Sequence, residues 1–197
     1  MKRRLLMDST QIIIAVAVLI AIGIGIMFAA STRRSQKMRE KYGPEYDLAK
    51  EKAGSKAAAE AALAEREKRV TKLDIRELNQ AERDRYHAEW TGIQADFVDE
   101  PPKALEKANL LVTEIMIARG FPVADFEQRA ADVSVLYPNV VSNYRHANEI
   151  AVKNQRGEAS TEELRQAMVH YRSLFEELLG TAKVNDVVVE DKKELIS

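Results

Sequence analysis

The sequence has no cysteine and few aromatic or helix-breaking residues. Among its 197 residues there are eight glycines, five prolines and 6% aromatic residues. The lack of cysteine excludes disulfide bonds, thiol catalysis, thiolate zinc sites and iron–sulfur ligation. The low aromatic content favours helices packed through Leu, Ile, Val and Ala. We therefore predict an all-α fold, with room for one ordinary domain plus appendages.

The sequence motifs of common enzyme classes are also absent. The chain has no G-x-S-x-G nucleophile elbow, no phosphate-binding P-loop and no H-E-x-x-H metal motif. Gly23 and Gly25 lie inside an apolar run, where they cannot form a phosphate-binding loop. We therefore expect a protein that is not an enzyme, and we assign no catalytic, cofactor-binding or metal-binding residue.

Two of the three histidines have an acidic residue at metal-site spacing. Asp84 with His87, and His146 with Glu149, are three residues apart and so share one helix face. Carboxylate-bridged metal bundles need two Glu-x-x-His motifs plus further glutamates, whereas the second pair here has the reverse order. Surface histidines beside acids are the better interpretation. We expect His170 at the edge of the core.

A long apolar run lies near the N-terminus. Residues 12–30 are 19 residues without a charge, and a helix of that length is about 28 Å long, close to the ~30 Å hydrocarbon core of a bilayer. The alternative is a cleaved signal peptide, with residues 2–4 as its basic start and residues 29–31 as its cleavage site. The length of the run and the Arg33–Arg34 pair that follows it favour a transmembrane helix.

The flanks of this run predict its orientation. Three Lys or Arg precede it and five follow within eleven residues, so the positive-inside rule favours a cytoplasmic C-terminal part, although moving three cations outward is costly. The opposite orientation would make the chain a stalked envelope protein. Small residues recur every fourth position and predict a candidate homodimer face: Ala17, Ala21, Gly25 and Ala29.

Charge divides the remainder of the chain. Residues 31–78 contain 13 Lys/Arg and 9 Asp/Glu, whereas residues 79–197 contain 14 and 21. The basic part suits the surface of an anionic bilayer, and the acidic part excludes nucleic acid as a partner. Large apolar residues are too sparse before Leu73 for a coiled coil, so residues 31–78 are predicted to be a solvated helical stalk with breaks at Gly43–Pro44 and Gly54–Ser55.

A compact bundle of about five amphipathic helices is predicted over residues 79–180. Each helix has apolar residues at helical spacing, and Trp90, the sole tryptophan, is expected to anchor the core. The chain is predicted to begin with a short basic tail (1–11) and to end with a disordered one (181–197). The signals for helix ends are capping boxes, prolines and glycines: Asn79 with Glu82, Pro101–Pro102, Gly120, Asp125, Pro138, Gly157, Ser160 with Glu163, and Gly180.

Several polar residues lie beside the apolar faces of these helices. Arg129 follows Asp125 by four residues and precedes Asp132 by three. This spacing favours a structural role, either in ion pairs along the helix surface or as a clamp between helices, over a ligand-reading arginine. Should such residues instead converge on a cavity, the bundle would bind a small ligand or act as an enzyme. The candidates for that alternative are Asn109, Asn143, Tyr144 and Arg129.

Six strings resemble a family of uncharacterised bacterial single-pass membrane or secreted proteins: YGPEYD (42–47), KLDIREL (72–78), FVDEP (97–101), ARGFPVADFEQRAAD (118–132), NYRHA (143–147) and GEASTEELRQAMVHYRSLFEELL (157–179). The resemblance implies an N-terminal membrane helix, a basic flank, a helical soluble region and a bacterial envelope location. It implies no activity or cofactor. We therefore expect a non-enzymatic helical interaction module in a bacterial inner (plasma) membrane, whose partners are the lipid bilayer and an unknown protein.

Overall fold

A computed structural model describes the backbone of residues 9–180 and the side chains of residues 16–180. Over that range the chain is all-helical and has no strand, as predicted. Of the predicted tails, residues 1–8 and 181–197 lie outside the described residues, and residues 9–11 belong to the first helix. The helices are α1 (Ser9–Tyr42), α2 (Pro44–Ala53), α3 (Lys56–Val70), α4 (Gln80–Asp99), α5 (Pro101–Ala118), α6 (Phe126–Leu136), α7 (Val141–Gln155) and α8 (Thr161–Leu179).

Helix α1 is long and apolar enough to cross a membrane over Val16–Tyr42. Its apolar side chains are exposed; those of Met27 and Phe28, for example, are 75% and 72% exposed. The helix continues through the basic flank and stops at Gly43, which has a φ of 50° and precedes a proline at the first position of α2. The described residues up to Lys41 and those from Tyr42 onward form two compact units.

The five helices predicted for the bundle are present as α4 to α8. Both predicted capping boxes are formed. The side chains of Asn79 and Ser160 accept hydrogen bonds from the backbone N–H groups of Glu82 and Glu163, and each glutamate side chain accepts one from the backbone N–H of its capping residue. Helix α7 begins three residues later than Pro138 suggested. Helix α7 packs along α8, α4 packs along α5, and α5 packs against α8, which together enclose one apolar core.

The solvated stalk predicted for residues 31–78 is wrong from the start of α2 onward. Helices α2 and α3 pack on each other, and α3 also packs on α6. Their shared face is buried, including Tyr46 and Ala49 of α2 and Ala59 and Leu63 of α3.

A cluster of charged residues, which we call the Glu45 clamp, fixes α2 and α3 to the bundle. The carboxylate of Glu45 is 1% exposed and accepts hydrogen bonds from Arg66 of α3 at 2.7 Å and from Arg145 of α7 at 3.0 and 3.1 Å. Arg145 also reaches Glu127 of α6, which Lys52 of α2 contacts at 2.6 Å. The clamp therefore joins four helices. Its members are Glu45, Lys52, Arg66, Glu127 and Arg145.

Candidate functional site

A small cleft opens between α4 and α8, and we call it the Trp90 cleft. It encloses about 160 Å³. The capping box at Asn79 and the one at Ser160 fix where the two helices begin, and so fix which side chains face the cleft. Its walls are apolar except for an amide and two guanidinium groups. The lining residues are Trp90, Gln94, Phe97, Arg165, Met168, Val169 and Arg172.

Trp90 forms the floor of this cleft and is part of the core. Its ring stacks on Phe175 of α8, with the ring centroids 4.8 Å apart and the planes 20° apart. The side chain is 4% exposed, which agrees with the predicted core anchor. However, the indole Nε1 is buried and has no hydrogen-bond partner among the described residues. A buried donor without an acceptor costs about 1–3 kcal/mol of stability.

Two arginines stand at the rim of the Trp90 cleft. Arg165 contacts Glu162 at 2.7 Å and Arg172 contacts Glu176 at 2.7 Å, each within α8 and with both partners more than half exposed. The Arg165 hydrogen bond lowers the pKa of Glu162 to about 2. Exposed pairs of this kind contribute little to stability, and their partners exchange readily with other ions.

A second groove runs between α4 and α5 and encloses about 350 Å³. Leu110 on its wall is 68% exposed. Its charged residues already pair across the two helices, because Lys107 contacts Asp96 at 2.6 Å and Arg85 contacts Glu114 at 3.2 Å. These pairs connect α4 and α5 at the surface. The groove is lined by Glu89, Gly92, Ile93, Asp96, Lys107, Leu110, Leu111 and Glu114.

The ion pairs predicted for Arg129 with Asp125 and Asp132 are wrong. The Asp125 carboxylate caps α6 by accepting from the Gln128 backbone at 2.8 Å. Asp132 is fully buried and accepts two hydrogen bonds, of 2.6 and 2.9 Å, from Arg69 of α3. The Asp125 carboxylate is therefore used in capping α6, and the Asp132 carboxylate is used in binding Arg69 of α3. Arg129 donates instead to the Ala124 carbonyl and the Tyr144 hydroxyl.

The four polar residues proposed to line a ligand pocket do not all come together. Arg129 and Tyr144 are in contact, with the Arg129 Nε atom 3.3 Å from the Tyr144 hydroxyl. Asn143 instead contacts Ser173 of α8 at 3.4 Å. The Asn109 Oδ1 atom is buried and has no hydrogen-bond partner in the described part of the chain. None of the four lines the Trp90 cleft or the α4–α5 groove.

The structure brings His146 and His170 together, which the sequence spacing did not indicate. Their ring centroids are 6.0 Å apart on α7 and α8. Partial burial, and then the neighbouring His146, lower the pKa of His170. His87 is exposed, as expected, and meets the edge of Phe175. Within residues 16–180 no group of three or more His, Asp or Glu side chains is arranged to hold a metal ion.

The buried Arg119 was missed by the sequence analysis. Its side chain is 1% exposed and donates to the Tyr137 hydroxyl and to the carbonyls of Leu178 at 2.8 Å and Arg76 at 3.2 Å. It lies where α5 and α8 end, and carbonyl groups at helix C-termini favour a cation. The signal in the sequence was an arginine directly before the glycine that ends a helix.

Comparison with known proteins identifies no relative: no family model, curated protein or solved structure matches this chain.

Proposed function

We propose that this protein is a membrane-anchored, non-enzymatic helical interaction module of a bacterial inner membrane. The observation that carries the proposal is the exposed apolar surface of α1, which presents Ile, Val, Leu, Met and Phe side chains over several turns. Exposed apolar surface costs roughly 25 cal/mol per Å² in water, and a bilayer removes that cost along the apolar run of the helix.

The membrane anchor would hold the second unit, which begins at Tyr42, at the membrane surface. Tethering a bundle to a membrane raises its effective concentration for any partner at the same membrane, without a new contact. The basic flank after the apolar run supports a cytoplasmic bundle through the positive-inside rule. A reporter fused after Ser197 tests this: activity of a cytoplasm-dependent reporter is expected. Activity of a periplasm-dependent reporter would instead make the chain a stalked envelope protein.

Anchoring is tested by alkaline carbonate extraction of membranes that contain the full chain. The wild-type chain is expected to stay in the membrane pellet. The double substitution Ile20→Lys, Ile24→Lys is expected to release it, because each lysine at mid-helix costs about 2.5–3.5 kcal/mol. Val123→Lys is the matched control, since Val123 is 83% exposed in the second unit. A wild-type chain that begins near Thr32 would contradict the anchor and show a cleaved signal peptide.

Interaction is tested by crosslinking in cells that express the full chain. A reproducible protein partner is expected, above the level recovered with the membrane helix alone; no such partner would contradict the proposal. The same crosslinking experiment also detects a homodimer formed through the small-residue face of α1: Ala17, Ala21, Gly25 and Ala29. Gly25→Ile is expected to weaken a crosslinked dimer, and a Cβ at this position has no atom within 4 Å in the chain itself. Unchanged dimer crosslinking would exclude this face.

A further inference from the structure

We propose that three cations at the start of the basic flank of α1 bind the phosphate headgroups of anionic phospholipids and give the anchor a preference for such lipids. We call these cations the Arg33 patch, which consists of Arg33, Arg34 and Lys37. This inference rests on the proposed anchoring of α1 in a membrane. It adds the class of lipid that the anchor selects and the residues that select it.

The Arg33 patch lies where the headgroup layer of a bilayer would surround α1. Residues 12–30 carry no charge, so Arg33 follows the apolar run by three residues, or about 4.5 Å of helix, and Lys37 follows it by about 10.5 Å. The headgroup layer on each side of the ~30 Å hydrocarbon core is about 5–8 Å thick. Because helical side chains point toward the N-terminus of their helix, all three cations point back toward the apolar run and reach the depth of the phosphates.

The three cations are held on one face of a continuous helix. Helix α1 runs without a break over Ser9–Tyr42. Where its apolar run ends, the hydroxyl groups bond within the helix: Thr32 Oγ1 donates to the Ala29 carbonyl at 2.9 Å, and Ser35 Oγ donates to the Ser31 carbonyl at 2.8 Å. At about 100° per residue, the three cations span an arc of about 100° around the axis. The patch therefore presents its charge in one direction.

The charges of the Arg33 patch are not compensated within the described part of the chain. All three side chains are exposed, and no acidic side chain among residues 16–180 pairs with them. The sequence also has no Asp or Glu between Ser9 and Arg39. Arg39 and Lys41 do have interactions, so they are not counted in the patch. Exposed cations of the second unit differ, as in the pair of Lys107 with Asp96 at 2.6 Å.

Phosphate is the anion that this patch fits in a membrane. A guanidinium group has N–H donors in a planar fork that matches phosphate oxygens, and an ammonium group binds phosphate as a point charge. Each Lys or Arg near an anionic surface strengthens binding roughly fivefold. A zwitterionic headgroup carries its own cation and gains less. The positive-inside rule concerns insertion, so by itself it predicts no lipid preference for the purified chain.

The test is native mass spectrometry of the full chain in a neutral detergent, titrated with two lipids that have identical acyl chains. Phosphatidylglycerol is the anionic probe and phosphatidylcholine is the zwitterionic one. Because the acyl chains are identical, their apolar contacts cancel in the comparison. We expect the anionic lipid to bind at least about tenfold more tightly. This preference is expected to shrink as ionic strength rises.

Two triple variants localise the preference. The patch variant replaces the three cations by glutamine, which keeps a good helix former and removes the charge: Arg33→Gln, Arg34→Gln and Lys37→Gln. It is expected to reduce the preference to about threefold or less. The matched control removes three exposed cations from the second unit and is expected to leave the preference unchanged: Lys68→Gln, Lys103→Gln and Arg165→Gln.

Four results would overturn the proposal: equal binding of the two lipids by the wild-type chain, a preference that the patch variant keeps, a preference that the control variant loses, or binding of inorganic phosphate as tight as that of the anionic lipid. The last result would indicate a site for free anions. Tighter binding of soluble poly-glutamate than of the anionic lipid would assign the patch to an acidic protein, and would also overturn it.

Carbonate extraction of the patch variant keeps this inference distinct from the proposed anchor. The apolar run is unchanged in this variant, so the chain is expected to stay in the membrane pellet. A wild-type chain that stays in the pellet but shows no lipid preference would contradict only the Arg33 patch. A wild-type chain released by carbonate would contradict the anchor itself.

Discussion

At the level of single residues, buried charge is compensated in this protein in two different ways. The Glu45 carboxylate lies between the guanidinium groups of Arg66 and Arg145, which arrive from α3 and α7. Arg119 instead donates to the carbonyls of Arg76 and Leu178 and to the Tyr137 hydroxyl, while its buried Nη2 has no hydrogen-bond partner among the described residues. Removing one member of a buried pair leaves the other charge without compensation, which costs far more than losing an exposed pair.

Glu45→Gln is therefore expected to destabilise the second unit by about 3 kcal/mol. The reason is that Arg66 and Arg145, at 15% and 12% exposure, would remain largely buried after losing the Glu45 carboxylate, and Arg145 would keep only the more exposed Glu127. The measurement is chemical unfolding of the full chain in detergent, followed by Trp90 fluorescence. Glu65→Gln, which removes an exposed pair with Lys68, should leave the midpoint almost unchanged. Equal effects of the two substitutions would contradict the clamp.

His170 predicts a loss of stability below neutral pH. Its pKa is lowered in the folded chain, so below about pH 6.5, the value for a free histidine, the unfolded chain binds more protons than the folded chain. Stability should therefore fall as pH falls from 7 toward 5. Unfolding midpoints measured across this range should depend less on pH in His170→Gln, and also in His146→Gln. If the unfolding midpoint of His170→Gln depends on pH as strongly as that of the wild type, His170 is not the cause of the pH dependence.

At the level of helices and turns, features set by residues close together in the sequence were predictable, whereas contacts between residues far apart in the sequence were not. The boxes at Asn79 and Ser160 and the break at Gly54–Ser55 depend on residues within four positions of one another, so the sequence alone located them. The burial of Glu45 depends on Arg145, one hundred residues away. For the same reason neighbouring aspartates were paired with Arg129, whereas α3 supplies the partner of Asp132. The Trp90 cleft likewise needs the pairing of α4 with α8.

The turn after α5 provides a prediction at this scale. Gly120 has a φ of 100°, and a Cβ there would lie 2.2 Å from the Asp74 carbonyl oxygen, whereas Gly157 has a φ of 71° and open space around it. Gly157→Ala should cost about 1 kcal/mol from backbone strain. Gly120→Ala should cost at least ~3 kcal/mol, because a clash with backbone is added. Urea unfolding of both variants measures this, and similar costs would show that residue 74 moves aside.

At the level of the whole molecule, α2 and α3 belong to the same folded unit as the five helices that follow. The Glu45 clamp and the Arg69–Asp132 pair connect them to α6 and α7. A solvated stalk would open independently of the bundle, whereas an integrated pair of helices opens with it.

Hydrogen exchange measured by mass spectrometry distinguishes these cases. Amides of α3, especially around the fully buried Ala59 and Leu63, should exchange on the timescale of α6 and α7. Glu45→Gln should speed exchange in α2 and α3 more than in α5, since only the former depend on the clamp. Exchange of wild-type α3 within seconds would show that it is the solvated helix that the sequence suggested.

The position of Arg119 has a consequence for synthesis of the chain. Its guanidinium leaves the ribosome with α5, but the Leu178 carbonyl that accepts from it belongs to the last turn of α8. Until that turn emerges, closing the core would bury the Arg119 cation without one of its three hydrogen-bond acceptors. A nascent chain truncated before Leu178 should therefore be more accessible to chaperones and proteases than one that includes the last turn of α8.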